Sequence, residues 1–191
     1  MTALLSAELA WYVTGRFYRA ADASMADYGY FLHLAGITAP LFDGAVGEGS
    51  AHFTFAAQPF SAPTLVNGAL SLGLDPVGTF SVYLQRSPAG DFDHPVSFAQ
   101  GERIATFRRS SLVVGTAVAA GTQSLFSSNV FTAWLTDSVP FEFGGARHDL
   151  RALLGAGITQ FGTAAATPVL PPPAPYALVI PFTGSAIGLG R

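Results

Sequence analysis

The residues best suited to chemistry lie in the stretch GDFDHPVSFAQGE, Gly90 to Glu102. Asp91, Asp93 and His94 could act as metal ligands or as an acid–base set. A calcium-binding loop needs further oxygen ligands at fixed offsets, and this stretch lacks them. Its glycines and prolines break strands and helices, and aspartate readily accepts local backbone hydrogen bonds. The pattern therefore favours a turn loop over a site.

The same stretch carries two phenylalanines, Phe92 and Phe98. A loop that contains two large apolar side chains gains stability when they are buried. We therefore expect these rings to hold the loop against the body of the protein.

The histidines do not form a recognisable metal-binding pattern. The four are His33, His52, His94 and His148. No two of them have the His-x-His or His-x-x-x-His spacing that places ligands together, so we predict no metal site. His33 shares a strand face with Phe31 and Ala35 and is expected to point inward. It is a catalytic candidate, although a lone inward histidine is more often a hydrogen-bonded core residue.

A second catalytic candidate is Glu142, which lies between Phe141 and Phe143. If the phenylalanines face outward, Glu142 enters an apolar interior, where burial raises the pKa of a carboxyl group and allows general acid catalysis. If they face inward, Glu142 is merely solvated. The pattern favours the second orientation.

A third catalytic candidate is Arg16, which shares a strand face with Tyr12 and Tyr18. Such a face could line a cavity and orient a carbonyl or carboxylate group, or it could be an exposed strand face. Tyr12 and Tyr18, together with Phe80 and Trp134, are the candidate ligand-binding residues.

The composition excludes several kinds of chemistry. The chain has no cysteine, and all nine basic residues are arginine, so thiol nucleophiles, thiolate metal sites and lysine Schiff bases are ruled out. The net charge is −3 and no basic cluster is present, which argues against binding to nucleic acid. The chain also lacks a Gly-x-Ser-x-Gly elbow and a phosphate-binding loop, and we predict no cofactor.

The elements that must position these residues are mostly strands. Alternation of apolar and polar residues recurs along the chain, with turn residues between the segments. About 8–11 short strands with one short helix near 149–155 predict an all-β fold, a single antiparallel β-barrel, with a β-sandwich or jelly roll as the alternative. Asp149 can cap that helix and Gly155 can end it.

The chain divides into a predicted barrel domain at 1–166, a proline-rich connector at 167–175 and a C-terminal segment at 176–191. The connector, TPVLPPPAP, cannot form a central strand and should run extended. The last segment contains the strand-like run YALVIPF. It belongs either to the same domain or to an oligomer interface.

Only 11% of the residues are charged and 50% are apolar, which favours a buried aromatic interior and association between copies. We expect a barrel that binds a small apolar molecule, and whether it is an enzyme stays open. An enzyme of this kind would be a cofactor-independent cyclase or isomerase. The alternative is a structural or accessory subunit of an assembly. The homo-oligomer is predicted to be cytoplasmic and soluble, because the sequence has no apparent signal peptide or membrane span.

Overall fold

The computed structural model describes residues 8–57, 64–67, 70–73, 78–109, 113–120 and 123–190, with backbone alone for 64–67, 70–73, 113–120 and 123–127. The described residues form thirteen strands and one short α-helix. The strands are β1 (Leu9–Ala20), β2 (Met25–Leu34), β3 (Phe53–Ala57), β4 (Thr64–Asn67), β5 (Leu70–Gly73), β6 (Thr79–Leu84), β7 (Glu102–Arg109), β8 (Val113–Ala120), β9 (Gln123–Ser138), β10 (Phe141–Phe143), β11 (Ala146–His148), β12 (Gly157–Ala164) and β13 (Tyr176–Gly188). The helix α1 spans Leu150–Leu154, and 3₁₀ turns lie at Glu48–Ser50 and Pro95–Ala99.

Eight strands close into one antiparallel barrel, in the order β12, β13, β1, β2, β3, β6, β7, β9 and back to β12. The ring closes between β9 and β12, where Trp134 pairs with Gly157 and Ser128 pairs with Thr163. A closed ring leaves no open edge among these segments, which suits strands with few charges to protect an edge. The predicted barrel is confirmed, and the sandwich alternative is not observed.

The interior of the barrel is filled mainly by aromatic rings. Alternation along each strand points one face of the ring inward, and the buried inward residues form one cluster. We call this set the lumen cluster; its main members are Trp11, Val13, Phe31, Phe53, Phe55, Phe80, Val82, Phe107, Phe131 and Phe182. Trp11 packs edge-on against Phe31 and Phe107, with ring centroids 5.5 and 5.7 Å apart. Phe80 stacks on Phe107 with centroids 4.8 Å apart.

Two paired glycines let these rings fit inside the barrel. Gly15 of β1 lies opposite Gly29 of β2. A Cβ atom on Gly29 would lie 2.2 Å from the carbonyl oxygen of Thr14 and 2.6 Å from the ring of Phe55. No larger residue fits there without a shift of the backbone or the ring, so this close approach helps to set the width of the lumen.

One end of the barrel is closed by α1 and the β10–β11 hairpin. Phe141, Leu150 and Leu154 are 5%, 0% and 3% exposed and belong to the same buried cluster as the lumen rings. We call this the capped end and the opposite end of the ring the distal end.

The short helix α1 begins and ends as the sequence predicts. The side chain of Asp149 accepts a hydrogen bond from the backbone N–H of Arg151, at 2.9 Å. Gly155 ends the helix with a φ of +70°, a conformation that side chains disfavour. The predicted helix near 149–155 is confirmed.

A second aromatic cluster covers part of the outside of the barrel. This outer cluster consists of Tyr18, Ala26, Tyr28, Ala56, Tyr83, Phe92, Phe98 and Val179. The loop that contains the 3₁₀ turn Pro95–Ala99 lies over these strands. Phe92 and Phe98 are 7% and 0% exposed, with ring centroids 4.8 Å apart. The expectation that these two rings hold the loop against the barrel is confirmed.

The C-terminal segment is part of the chain's own barrel. Strand β13 lies between β12 and β1, and its pairs with β1 run from Ile187 opposite Leu9 to Tyr176 opposite Ala20. Strand β13 therefore belongs to the barrel, while the division of the chain at 166 and 175 stays a prediction. The proline-rich connector folds back onto the barrel, because the N–H of Val169 bonds to the carbonyl of Val179 at 2.9 Å.

Beyond the ring, the main sheet continues as a smaller sheet. Strand β8 pairs with the first half of β9, β5 pairs with β8, and β4 pairs with β5, all antiparallel. We call β4, β5, β8 and residues 123–127 of β9 the sheet extension. It leaves the barrel at the distal end, where β3 and β7 end and β6 begins.

No helix in the described residues is long and apolar enough to cross a membrane. The cytoplasmic location stays a prediction.

Candidate functional site

The candidates on β1 lie outside the lumen. Strand alternation places Trp11 and Val13 inside the barrel and puts Tyr12, Arg16 and Tyr18 on the outer face. The guanidinium carbon of Arg16 lies 4.3 Å from the centroid of the Phe92 ring, and the Tyr18 hydroxyl donates to the Phe92 carbonyl at 2.8 Å. These contacts hold the outer loop, while Tyr12 is 48% exposed. The polar-aromatic face therefore does not line the lumen.

His33 also lies on the outer surface, and the inward orientation expected from alternation is not observed. Val13 pairs with Phe31 and Tyr12 pairs with His33, so Leu32 is an extra residue, a β-bulge. The bulge keeps Phe31 inside the barrel but turns His33 outward. His33 is exposed, with its ring centroid 6.0 Å from that of Tyr12.

Glu142 is exposed, while Phe141 is buried and Phe143 is partly buried. Of the two orientations considered, the structure has the one with the phenylalanines packed inward. Trp134 is 45% exposed, because β9 turns its neighbours Ala133 and Leu135 inward instead. Among the seven candidate residues, the structure places Phe80 alone in the lumen.

The loop from Gly90 to Glu102 has hydrogen bonds of the kind expected for a turn. Asp91 accepts from the N–H of Asp93 at 2.8 Å and lies 2.7 Å from Nδ1 of His94. That hydrogen bond raises the pKa of His94 and lowers the pKa of Asp91. In the described residues, no group of three or more His, Asp or Glu side chains is placed to hold a metal ion.

A small cavity lies inside the barrel towards its distal end. Its aromatic lining consists of Trp11, Phe17, Phe31, Phe55, Phe80, Phe131 and Phe182. The space open to the centre of a water-sized molecule is ≈ 20 Å³. One water needs about 10–15 Å³ by this measure, so the cavity accommodates one small group and is otherwise filled by rings.

The polar residues of this cavity are Asp27, Arg109, Asn129 and Gln160. Asp27 on β2 and Arg109 on β7 form an ion pair across the lumen, with Nη2 of Arg109 2.5 Å from Oδ2 of Asp27. Their side chains are 8% and 4% exposed. The guanidinium of Arg109 also lies over the ring of Phe131, 5.0 Å from its centroid. A buried charge pair in an aromatic lumen is costly to desolvate, which makes Asp27 and Arg109 candidates for a functional role.

Two oxygen atoms of this cavity stand out by their hydrogen bonding. Within the described part of the chain, Oδ1 of Asp27 and Oδ1 of Asn129 are buried and have no hydrogen-bond partner. Each such atom costs about 1–3 kcal/mol when left unsatisfied. Gln160, by contrast, accepts from Nε1 of Trp11 at 3.1 Å. These two oxygen atoms are acceptors, so a group that satisfies either of them must be a hydrogen-bond donor.

Burial raises the pKa of the Asp27 carboxyl group, and the charge and hydrogen bond of Arg109 oppose that rise. A carboxyl group with a raised pKa takes up and releases protons closer to neutral pH. Asp27 is thus a titratable group inside the lumen, whereas the candidates Arg16, Glu142 and His33 lie outside it.

Asp27 and Arg109 are not among the residues selected from the sequence. A signal was present, because Asp27 is four residues before Phe31 and Arg109 is two residues after Phe107, so each shares a strand face with a large apolar residue. A charged residue on an otherwise apolar face would have identified both.

No protein-family model, curated protein or solved structure matches this chain.

Proposed function

We propose that the distal half of the lumen binds a small, mainly apolar molecule that carries one hydroxyl or amine group. The observation that carries this proposal is the pair of unpartnered acceptor oxygens, on Asp27 and Asn129, in a cavity otherwise lined by aromatic rings. A hydroxyl group donates one hydrogen bond and so removes the cost at one of these atoms, whereas an amine group has more than one N–H and can donate to both. A ligand without a donor gains nothing from them, so the site selects by hydrogen bonding as well as by shape.

The size of the cavity limits how the ligand lies. The cavity has space for one small group, so we expect the polar end of the ligand to enter it. The apolar part of the ligand would then pack against rings nearer the distal opening. Phe17 is the partly buried member of this lining, and its ring centroid lies 4.4 Å from that of Phe182. Displacement of this pair would open the cavity to a ring-sized molecule.

A binding test can use Trp11 as an internal reporter. The chain has two tryptophans, so the exposed Trp134→Phe substitution leaves Trp11 as the sole one. Phenol and anisole are matched probes, since anisole has the same ring without the donor. We expect phenol to change Trp11 emission saturably and anisole to bind at least about tenfold more weakly, the equivalent of about 1.4 kcal/mol.

Two variants locate the binding. Asn129→Leu removes one acceptor and should weaken phenol but not anisole, whereas Tyr12→Phe on the outer face should change neither. Equal affinity for the two probes would show that the site does not recognise the donor group, and the absence of a saturable signal with either would show that the cavity does not bind a ligand of this kind.

The same geometry supports a catalytic role, an isomerisation or cyclisation that uses neither metal nor nucleophile. Such a reaction moves a proton between two atoms of the substrate. The Asp27 carboxylate would accept and return it, and the guanidinium of Arg109 would stabilise negative charge on a substrate oxygen. The raised pKa of Asp27 and its burial among aromatic rings favour this role.

Proton transfer can be tested without knowledge of the substrate. Exchange of the α-hydrogens of 1-indanone in D₂O, followed by NMR, reports acid–base catalysis on a small aromatic ketone. We expect the protein to accelerate exchange and the Asp27→Asn variant to lose that acceleration. Equal rates for Asp27→Asn and the unaltered protein would contradict the catalytic role of Asp27.

A further inference from the structure

The sheet extension ends in a strand with an open edge. In the strand order, β4 is the last member, and β5 pairs with one of its edges from Thr64 opposite Gly73 to Asn67 opposite Leu70. Across the described ranges, no strand pairs with the other edge of β4. An open edge presents unpaired backbone N–H and C=O groups to any extended chain that approaches it.

The extension also lacks the charges that normally protect such an edge. The sequence contains no Asp, Glu, Arg, Lys or His from 57 to 74 or from 110 to 136, and these ranges include β4, β5, β8 and residues 123–127 of β9. Natural edge strands are commonly protected by lysine, other charges or proline. The strand residues of β4, TLVN, include none of these.

An uncharged sheet could contact either lipid or another protein strand, and the open edge favours the strand. Lipid cannot satisfy backbone hydrogen-bonding groups, and open sheet edges are not found in the hydrocarbon region of a membrane. Another strand satisfies them directly. Two copies of β4 related by a twofold axis supply each other with an antiparallel partner, and no charges repel across the contact.

We propose that a second copy of this chain pairs with the open edge of β4 and forms a twofold-symmetric dimer. The two sheet extensions then make one continuous antiparallel sheet between two barrels, with β4 beside β4 at its centre. This inference does not depend on the lumen site. It assigns the predicted homo-oligomer to the extension and not to the C-terminal strand, which is part of the barrel.

The test measures the mass of the full chain by light scattering at micromolar concentration. The chain has a mass of 19.9 kDa, so we expect a particle of about twice that mass. One variant carries Leu65→Lys with Val66→Lys, and a second carries Leu65→Glu with Val66→Glu. Adjacent residues lie on opposite faces of a strand, so each variant carries one added charge on each face of the sheet. When two copies of the same variant pair, like charges therefore lie close together on both faces.

We expect each charged variant alone to be monomeric and an equimolar mixture of the two to form a dimer. Recovery in the mixture also shows that both variants are folded. A matched control places lysines at Phe161 and Thr163, on the exposed face of β12, and should remain a dimer. The proposal is overturned by a monomeric unaltered protein, by charged variants that stay dimeric, or by a mixture that stays monomeric. A particle larger than a dimer, or a monomer that binds phosphatidylcholine vesicles through the extension, also overturns it.

Discussion

The lumen cluster and the outer cluster are both aromatic and both buried, yet they differ in whether nearby polar atoms have hydrogen-bond partners. In the outer cluster, the Tyr18 hydroxyl donates to the Phe92 carbonyl, and the neighbouring Thr54 hydroxyl donates to the Phe98 carbonyl at 2.6 Å. In the lumen, acceptor oxygens of Asp27 and Asn129 have no partner within the described residues. The outer cluster is complete as a structural contact, and the lumen has hydrogen-bonding capacity for another molecule.

The chemistry of the rings follows the same division. The outer cluster contains Tyr18, Tyr28 and Tyr83, whereas the aromatic members of the lumen cluster are phenylalanine and tryptophan. Tyrosine suits a surface that a loop covers, because its hydroxyl can reach backbone groups of that loop. Phenylalanine has no polar group, so the polar atoms of the lumen belong to a few residues, and these can select a ligand by its hydrogen bonding.

The largest expected effect comes from leaving the lumen's charge unpaired. Arg109→Met removes the partner of buried Asp27, and we expect a loss of about 3–5 kcal/mol in the free energy of unfolding. The double variant Asp27→Leu with Arg109→Met should recover most of that loss, since an apolar pair avoids desolvation of charge. Urea unfolding of the three proteins measures both effects. A double variant as unstable as Arg109→Met would show that the pair is structural.

A smaller effect is expected from the outer cluster. The buried Thr54 hydroxyl donates to Phe98 and accepts from Nε2 of Gln85 at 3.3 Å. Thr54→Val keeps the shape but loses both bonds, which should cost about 1–3 kcal/mol by urea unfolding. Phenol binding in the lumen should not change, and if it weakens to the same degree the two clusters are not independent.

The two clusters also differ in how the sequence predicts them. Alternation predicts which residues share a face, and the capped helix α1 follows from local signals that the structure confirms. Closure into a barrel was expected from the many aromatic and few charged residues, and the structure confirms it. Alternation does not show which face is inside when both faces are apolar. On β1, Trp11 and Val13 alternate with Tyr12 and Tyr18, and the outer loop buries part of the second set.

Two further features depend on contacts between distant segments. The β-bulge at Leu32 exists only in the pairing of β1 with β2, so nothing local turns His33 outward. Asp27 and Arg109 are 82 residues apart in the chain and meet across the ring. A sequence read in windows finds each of them on an apolar strand face but cannot find the ion pair.

A modest effect of pH is expected to distinguish Asp27 from the other carboxyl groups. Burial raises its pKa above the ordinary 3.8, so the folded protein keeps a proton that the unfolded chain has lost. Asp27 therefore makes the fold less stable as pH rises from the ordinary pKa of 3.8 to the raised pKa in the folded protein. Asp149 and Glu102 have lowered pKa values and act in the opposite direction, losing their stabilisation as pH falls.

The difference between the unaltered protein and Asp27→Asn isolates this contribution. We expect the stability of the unaltered protein relative to the variant to decrease from about pH 4 upwards, measured by urea unfolding at several pH values. A relative stability that increases with pH would mean that the attraction of Arg109 outweighs burial.

The smallest expected effect concerns the outer loop, where His94 and Asp91 are both on the surface. The Asp91 carboxylate accepts a hydrogen bond from the protonated imidazole and attracts its charge, which raises the pKa of His94 above the ordinary 6.5. The stabilisation from this pair is present below pH 6.5 and is lost as pH rises through the folded pKa of His94. NMR titration should show the raised pKa, and Asp91→Asn should return it towards 6.5 while leaving phenol binding unchanged. If Asp91→Asn instead weakened phenol binding, the outer loop would take part in function and the division between the two clusters would fail.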